Sequence, residues 1–234
     1  MWPLVTGGLF ALVLGMRHAV EPDHLAAVST LVADELRMGS KRGRAALLGV
    51  FWGCGHMMSL FVVAGVLAWL RARMPDRVDD LFELVVAVTL LFLGARAVRR
   101  AIVAGRTGPA FPHGHGDGRH LHAGPSDHLH IGRYTLARQP LLVGLLHGLA
   151  GSGALTVVGV AAAPSAAVAV WFLAWFGVGA TAGMAVCAGL GGAVLGRFLQ
   201  TPRAQVWLVG AAGAFSLVLG VYKGWPLAVR LLGV

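Results

Sequence analysis

Six apolar runs, each long enough to cross a bilayer, leave this chain little choice of architecture. They lie at roughly 4–31, 45–70, 81–103, 140–163, 166–196 and 205–228. A hydrocarbon core of about 30 Å needs about 20 apolar residues of helix. Inside it, each segment must satisfy its own backbone N–H and C=O groups. The alternating ten-residue pattern of a membrane barrel strand does not occur. The spacing therefore predicts an all-α membrane protein of six transmembrane helices. Composition agrees, with 57% of the 234 residues hydrophobic, only 12% charged, and no soluble domain visible. No basic stretch precedes the first run, so that run is expected to stay in the protein as a helix.

The first run is interrupted by a polar octad, RHAVEPDH, from Arg17 to His24. A central Asp or Arg in a membrane segment costs roughly 2.5–3.5 kcal/mol on insertion scales, so such a cluster needs a partner or a purpose. Imidazoles and a carboxylate together suit a divalent transition metal such as nickel, cobalt or zinc. On a straight helix His18 and His24 point about 120° apart, and Asp23 about 140° from His18, so one undistorted face cannot gather them. Pro22 changes this. It has no N–H for the carbonyl of His18, and its ring pushes that carbonyl away, so a break is expected between His18 and Asp23. Broken membrane helices are where transporters place ion sites. In the alternative, purely structural arrangement, Arg17 and Glu21 pair at i,i+4 and the histidines bond to neighbouring helices.

Charge sets the expected orientation. Thirteen basic residues fall on one side: Arg37, Lys41, Arg42 and Arg44, then seven between Arg96 and Arg138, then Arg197 and Arg203. Five fall on the other, namely Arg71, Arg73, Arg77, Lys223 and Arg230. The richer side is read as cytoplasmic, which puts both termini outside. The formal charge of +9 is thereby assigned to membrane orientation and not to nucleic-acid binding.

The chain divides into residues 1–103, a connection at 104–139, and residues 140–234. The connection is polar and rich in Gly and Pro. It carries His113, His115, His120, His122, His128 and His130, with Asp117 and Asp127 between them. It reads as a disordered cytoplasmic loop that buffers or senses metal.

The flanking parts repeat each other. Gly15-Met-Arg-His18 matches Gly144-Leu-Leu-His147, and in that register Asp23 falls on Ser152. Phe51-Trp-Gly-Cys-Gly-His56 matches Trp175-Phe-Gly-Val-Gly-Ala180, and Phe92-Leu-Gly94 matches Val218-Leu-Gly220. Each part has three spans, an odd number, so the second enters the membrane from the opposite side. That is a 3+3 inverted repeat, a plan of many secondary transporters. It brings His147 toward His18, Asp23 and His24, and the small residues beside His56 let that histidine approach the same cavity. The expected metal site is His18, Asp23, His24, His56 and His147, with Glu21 claimed by Arg17.

The motif HAVEPDH, from His18 to His24, resembles the signature H-x4-D-H of the nickel/cobalt permease family. Gly55-His-Met-Met-Ser59 resembles that family's second motif. GMRHAVEPDHLAAVST and PLLVGLLHGLAGS are similar to the short permeases of the urease-accessory type. The resemblance implies uptake of nickel, and by extension cobalt, across a bacterial inner membrane. It also implies hand-over to cytoplasmic metallochaperones of urease or another nickel enzyme.

The expected partners are thus a divalent metal ion and the lipid bilayer. No catalytic residue, no bound cofactor and no enzymatic activity are expected, and no Walker-type nucleotide motif occurs. Two rival functions are export by a member of the same superfamily and electron transfer by paired membrane thiols. The second needs symmetry-related cysteines, but Cys54 aligns with Val178, and Cys187 with about Val63.

Overall fold

The computed structural model describes residues 2–37, 43–70, 74–107, 128–131, 134–149, 163–198 and 201–233. Among them are seven helices: α1 (Trp2–His18), α2 (Pro22–Arg37), α3 (Gly43–Leu70), α4 (Asp76–Thr107), α5 (Arg138–Leu149), α6 (Ala166–Phe198) and α7 (Pro202–Leu232). A hairpin of β1 (His128–Ile131) and β2 (Tyr134–Ala137) precedes α5.

Helices α3, α4, α6 and α7 are each long and apolar enough to cross a membrane. Helices α1 and α2 form a fifth, broken span, bent by 60° between Leu4–His18 and Pro22–Ala33. The fourth expected run, 140–163, is described in its first part only as far as Leu149, as the 12-residue α5. Its remainder, with Ser152, lies outside the described residues. The described part thus gives four spans, or five with the bent pair, where the sequence predicts six. Apolar side chains face outward, with Val62, Phe92, Leu190 and Val218 all more than 60% exposed. Polar ones, including four histidines, are buried inside. A chain dissolved in lipid tolerates that distribution and a water-soluble one does not. The protein is a multi-pass membrane protein.

Local chemistry explains the break. The N–H groups of Val20 and Glu21 bond three residues back, to Arg17 and His18, each at 3.1 Å, which tightens the end of α1. Pro22 then opens α2, at a position where its missing N–H is no loss. The regular ladder resumes when Leu25 N–H bonds to Glu21 O at 2.9 Å. The hydroxyls of Ser29 and Thr30 bond back to Ala26 O and Ala27 O, each at 2.8 Å, so α2 carries them inside without loss. At the far end of the chain, Thr201 caps α7 by accepting from Ala204 N–H at 3.3 Å. Gly233, at φ 70°, closes it with a bond to Val229 O.

The connection at 104–139 departs from the expected absence of structure. Helix α4 runs on to Thr107, and 128–137 pair as antiparallel strands from His128↔Ala137 to Ile131↔Tyr134. The sequence carries the reason: two short runs with β-branched and aromatic residues, spaced by Gly132-Arg133. His113, His115, His120, His122, Asp117 and Asp127 lie outside the described residues. Arg96 reaches from α4 to Gln139 Oε1 at 2.9 Å and pins the start of α5.

Helix α1 packs on α6, α5 on α3, α3 on α6, and α4 on α7, while α2 lies against α6 and α7. The closest approaches are at glycines. A side chain at Gly15 would run into the carbonyl of Phe176, and one at Gly144 into the carbonyl of Trp52. One at Gly55 would meet Leu141 O, and one at Gly179 would meet Leu12 O. A Cβ at Gly94 would stand 2.7 Å from Gly213 O, and one at Gly220 would stand 3.0 Å from Ala87 O. Bare backbone is what lets these helices touch.

Candidate metal site

Four histidines converge where α1, α2, α3 and α5 meet. His18 ends α1, His24 lies in the first turn of α2, His56 is midway along α3, and His147 is near the end of α5. His18 is 5% exposed, His24 2%, His56 0% and His147 1%. Ring centroids are 4.4 Å apart for His18–His24, 5.0 Å for His18–His56, 5.3 Å for His24–His56 and 5.6 Å for His24–His147. One nitrogen from each of His18, His24 and His56 falls within 4.8 Å of the others. The break at Pro22 makes this possible, because it turns His24 toward His18 as a straight helix would not.

The hydrogen bonding of three of these rings follows one rule. His18 Nδ1 lies 3.1 Å from Glu21 Oε2, His24 Nδ1 lies 3.1 Å from Asp23 Oδ1, and His147 Nδ1 donates to Val143 O at 3.1 Å. In all three the Nε2 atom is buried and without a partner, as are both nitrogens of His56. A buried polar atom left unsatisfied costs about 1–3 kcal/mol. Metal-ligating histidines present this pattern, with one nitrogen fixed by a carboxylate or carbonyl and the other free to coordinate. A nitrogen-rich set of this kind suits nickel, cobalt or zinc and not magnesium or calcium.

Asp23, the carboxylate of the expected set, is held from two sides. It is buried, but its Oδ1 accepts from the His24 backbone N–H at 3.0 Å and faces the His24 ring, while its Oδ2 accepts from Lys223 Nζ of α7 at 2.8 Å. It groups with Glu21 and His24, not with the three-histidine set. Glu21 lies on His18, and Arg17 is exposed, so the expected Arg17–Glu21 pair is not among the ion pairs of the described residues. His147 adjoins His24 but stands outside the tight group.

Sequence reasoning missed three neighbours. Trp52 stacks on His24 at 5.3 Å and meets His147 edge-on at 5.8 Å. Phe176 lies 5.6 Å from His18. Lys223, counted above with the basic residues of the outer connections, is inside α7 and ion-paired. The signal for it was an ionisable residue within the sixth apolar run, which is a functional candidate by default in a membrane helix. The free thiols Cys54 and Cys187 do not occur among the described groups that could hold a metal.

Fold and site together define a polytopic helical membrane protein with a buried transition-metal type of donor cluster. No family profile matches the chain, and no solved structure matches it. Three characterised proteins do. The urease accessory protein UreH of Bacillus sp. (strain TB-90) is 30% identical over 223 residues, covering 93% of this chain and 90% of the relative. The cobalt transport protein NhlF of Rhodococcus rhodochrous is 34% identical over 100 residues, 39% of this chain and 27% of the relative. The chloroplast protein FOR GROWTH AND FERTILITY 2 of Arabidopsis thaliana is 28% identical over 179 residues, 76% of this chain and 44% of the relative. This chain belongs to the nickel/cobalt permease family, with the urease accessory protein UreH as a relative along nearly its whole length.

Proposed function

We propose that this protein is a secondary transporter, not an enzyme, that carries nickel, and cobalt beside it, into the bacterial cytoplasm by alternating access. The observation that carries the reading is the close group of His18, His24 and His56, with a nitrogen of each within 4.8 Å of the others, their Nε2 atoms buried without partners, and His147 beside His24 with its Nε2 in the same state. His18, His24 and His56 are the ligands, with His147 at the edge. Asp23 and Glu21 hold His24 and His18 by their Nδ1 atoms and stand ready to join the cation from the side. The names of UreH and NhlF point the same way, one to urease and the other to cobalt transport. Metal delivered inside would pass to metallochaperones of a nickel enzyme such as urease.

The architecture that fits transport is a 3+3 inverted repeat of six spans, 1–103 and 140–234, in the inner membrane with both termini outside. Its support is the glycine register. Gly15 corresponds to Gly144, and the carbonyls they face belong to Phe176 and Trp52, which also correspond. The same holds for Gly55 on Leu141 and Gly179 on Leu12, and for Gly94 on Gly213 and Gly220 on Ala87. Two halves with interchangeable contacts can exchange conformations about a shared site.

The driving force needs no nucleotide. A divalent cation entering a cell held 100 mV negative gains about 2 × 2.3 kcal/mol. Cells expressing the protein should accumulate radioactive nickel above controls, and collapsing the membrane potential should abolish the excess. Net loss of nickel from preloaded cells, with no gain, would instead establish export.

The histidine loop is assigned to buffering. Deleting residues 110–131 should leave initial uptake within about twofold of wild type, because α3 packs on α6 and α4 on α7, with α2 against both α6 and α7, without it. Complete loss of uptake in a deletion variant that inserts normally would refute that assignment.

A further inference from the structure

We propose that Lys223 is a tethered cation, holding Asp23 until the transported metal displaces it, and so a positioning residue that couples site occupancy to α7. The proposal rests on the transport reading above.

Asp23 is 6% exposed, and a buried carboxylate needs a compensating charge. Lys223 supplies it at 2.8 Å. The donors of Glu21, Asp23 and His24 lie within 4.8 Å of one another, and His24 also belongs to the three-histidine group. A divalent ion on His24 therefore stands beside the carboxylate that Lys223 occupies. Two cations then face one carboxylate, and the ion carries the larger charge. The ammonium sits on a flexible four-carbon stem and is a third exposed, so it has somewhere to go.

The helix that carries Lys223 is built to respond. Pro226 lies three residues further on, inside α7, and takes from the Tyr222 carbonyl its intrahelical donor. Two turns before Lys223, Ser216 Oγ donates to Ala26 O at 3.1 Å and ties the same two helices together. Releasing Lys223 while Ser216 holds frees the C-terminal part of α7 from α2 at the point where the helix bends most easily. Metal binding would thus loosen one side of the site, and return of Lys223 to Asp23 would expel the ion and restore it.

The test begins with the wild-type chain in detergent. Its only lysines are Lys41 and Lys223, so an amine-acylating reagent followed by peptide mass spectrometry reads Lys223 against Lys41 as reference. Saturating Ni2+ should raise Lys223 acylation several-fold relative to Lys41. An unchanged ratio overturns the exchange. In calorimetry with Ni2+ alone, Lys223→Met should bind about tenfold more tightly, since no ammonium has to leave. In uptake it should lower KM and kcat together, because release is slowed. Lys223→Arg, which keeps the charge, should restore both constants toward wild type. A Lys223→Met protein with unchanged or weaker affinity overturns the proposal. Wild-type Ni2+ binding that is lost in His24→Ala upholds the site itself, so a negative Lys223 result on that background sinks only the exchange. A wild-type chain that binds no Ni2+ sinks both.

Discussion

Replacing His56 by leucine should abolish nickel binding and uptake without unfolding the protein. His56 is fully buried, and neither of its ring nitrogens has a partner. An apolar side chain of similar volume removes two unsatisfied polar atoms, each costing about 1–3 kcal/mol, so the metal-free variant should melt no lower than wild type. What disappears is the response to metal. With nickel at a hundred times its dissociation constant, wild type gains about 2.7 kcal/mol, which for a chain of this size is a rise of roughly 5–10 °C in Tm. His56→Leu should show no rise. His18→Ala and His24→Ala should behave alike in binding, since their nitrogens lie within 4.8 Å of that of His56. His147→Ala should be partial, for its ring touches His24 from outside the tight group. Retention of wild-type nickel affinity by His56→Leu in calorimetry would make the cluster structural only.

The second large effect concerns folding. Gly144→Leu should prevent recovery of monodisperse protein, and Gly15→Leu should do the same. Each side chain would meet a backbone carbonyl of the facing helix, Trp52 in one case and Phe176 in the other. A flexible side chain can yield to an intruder, whereas a helix backbone can only move as a whole. Overpacking costs about 1–3 kcal/mol in ordinary cores and more where nothing can give. Against a total stability of about 5–15 kcal/mol, that is a large fraction. Gly65→Leu is the control, because a side chain there meets nothing within 4 Å. Size-exclusion profiles and thermal melts of the three variants decide the matter. If Gly144→Leu melts with Gly65→Leu, the close approach is not tight in solution.

The effects differ because the glycines and the histidines carry different information. Gly15, Gly55, Gly144 and Gly179 set how near the helices come, and the approach of α3 to α5 sets how near His56 and His147 come to each other. Any separation of α1 from α6 or of α3 from α5 would open the cluster. Site and scaffold are therefore coupled through backbone contact more than through side-chain bonds.

Much of this was legible in the sequence. Apolar runs fix helices in lipid, because no other open structure satisfies its own backbone there. Pro22 inside the first run fixes a break, because its ring and missing N–H act on the chain locally. The residue types at His18, Asp23, His24, His56 and His147, imidazoles with a carboxylate, point to the chemistry of a divalent transition metal. The extent of the first span was also visible, but not its 60° bend, which depends on what α2 packs against. Glu21 turning to His18 and not to Arg17, and Asp23 taking Lys223 from a helix two hundred residues away, were decided by tertiary structure alone. Spacing along one helix determines which faces its residues occupy. Which charge ends beside which carboxylate depends on how separate helices settle, and that is set by burial of the whole assembly and not by any local rule.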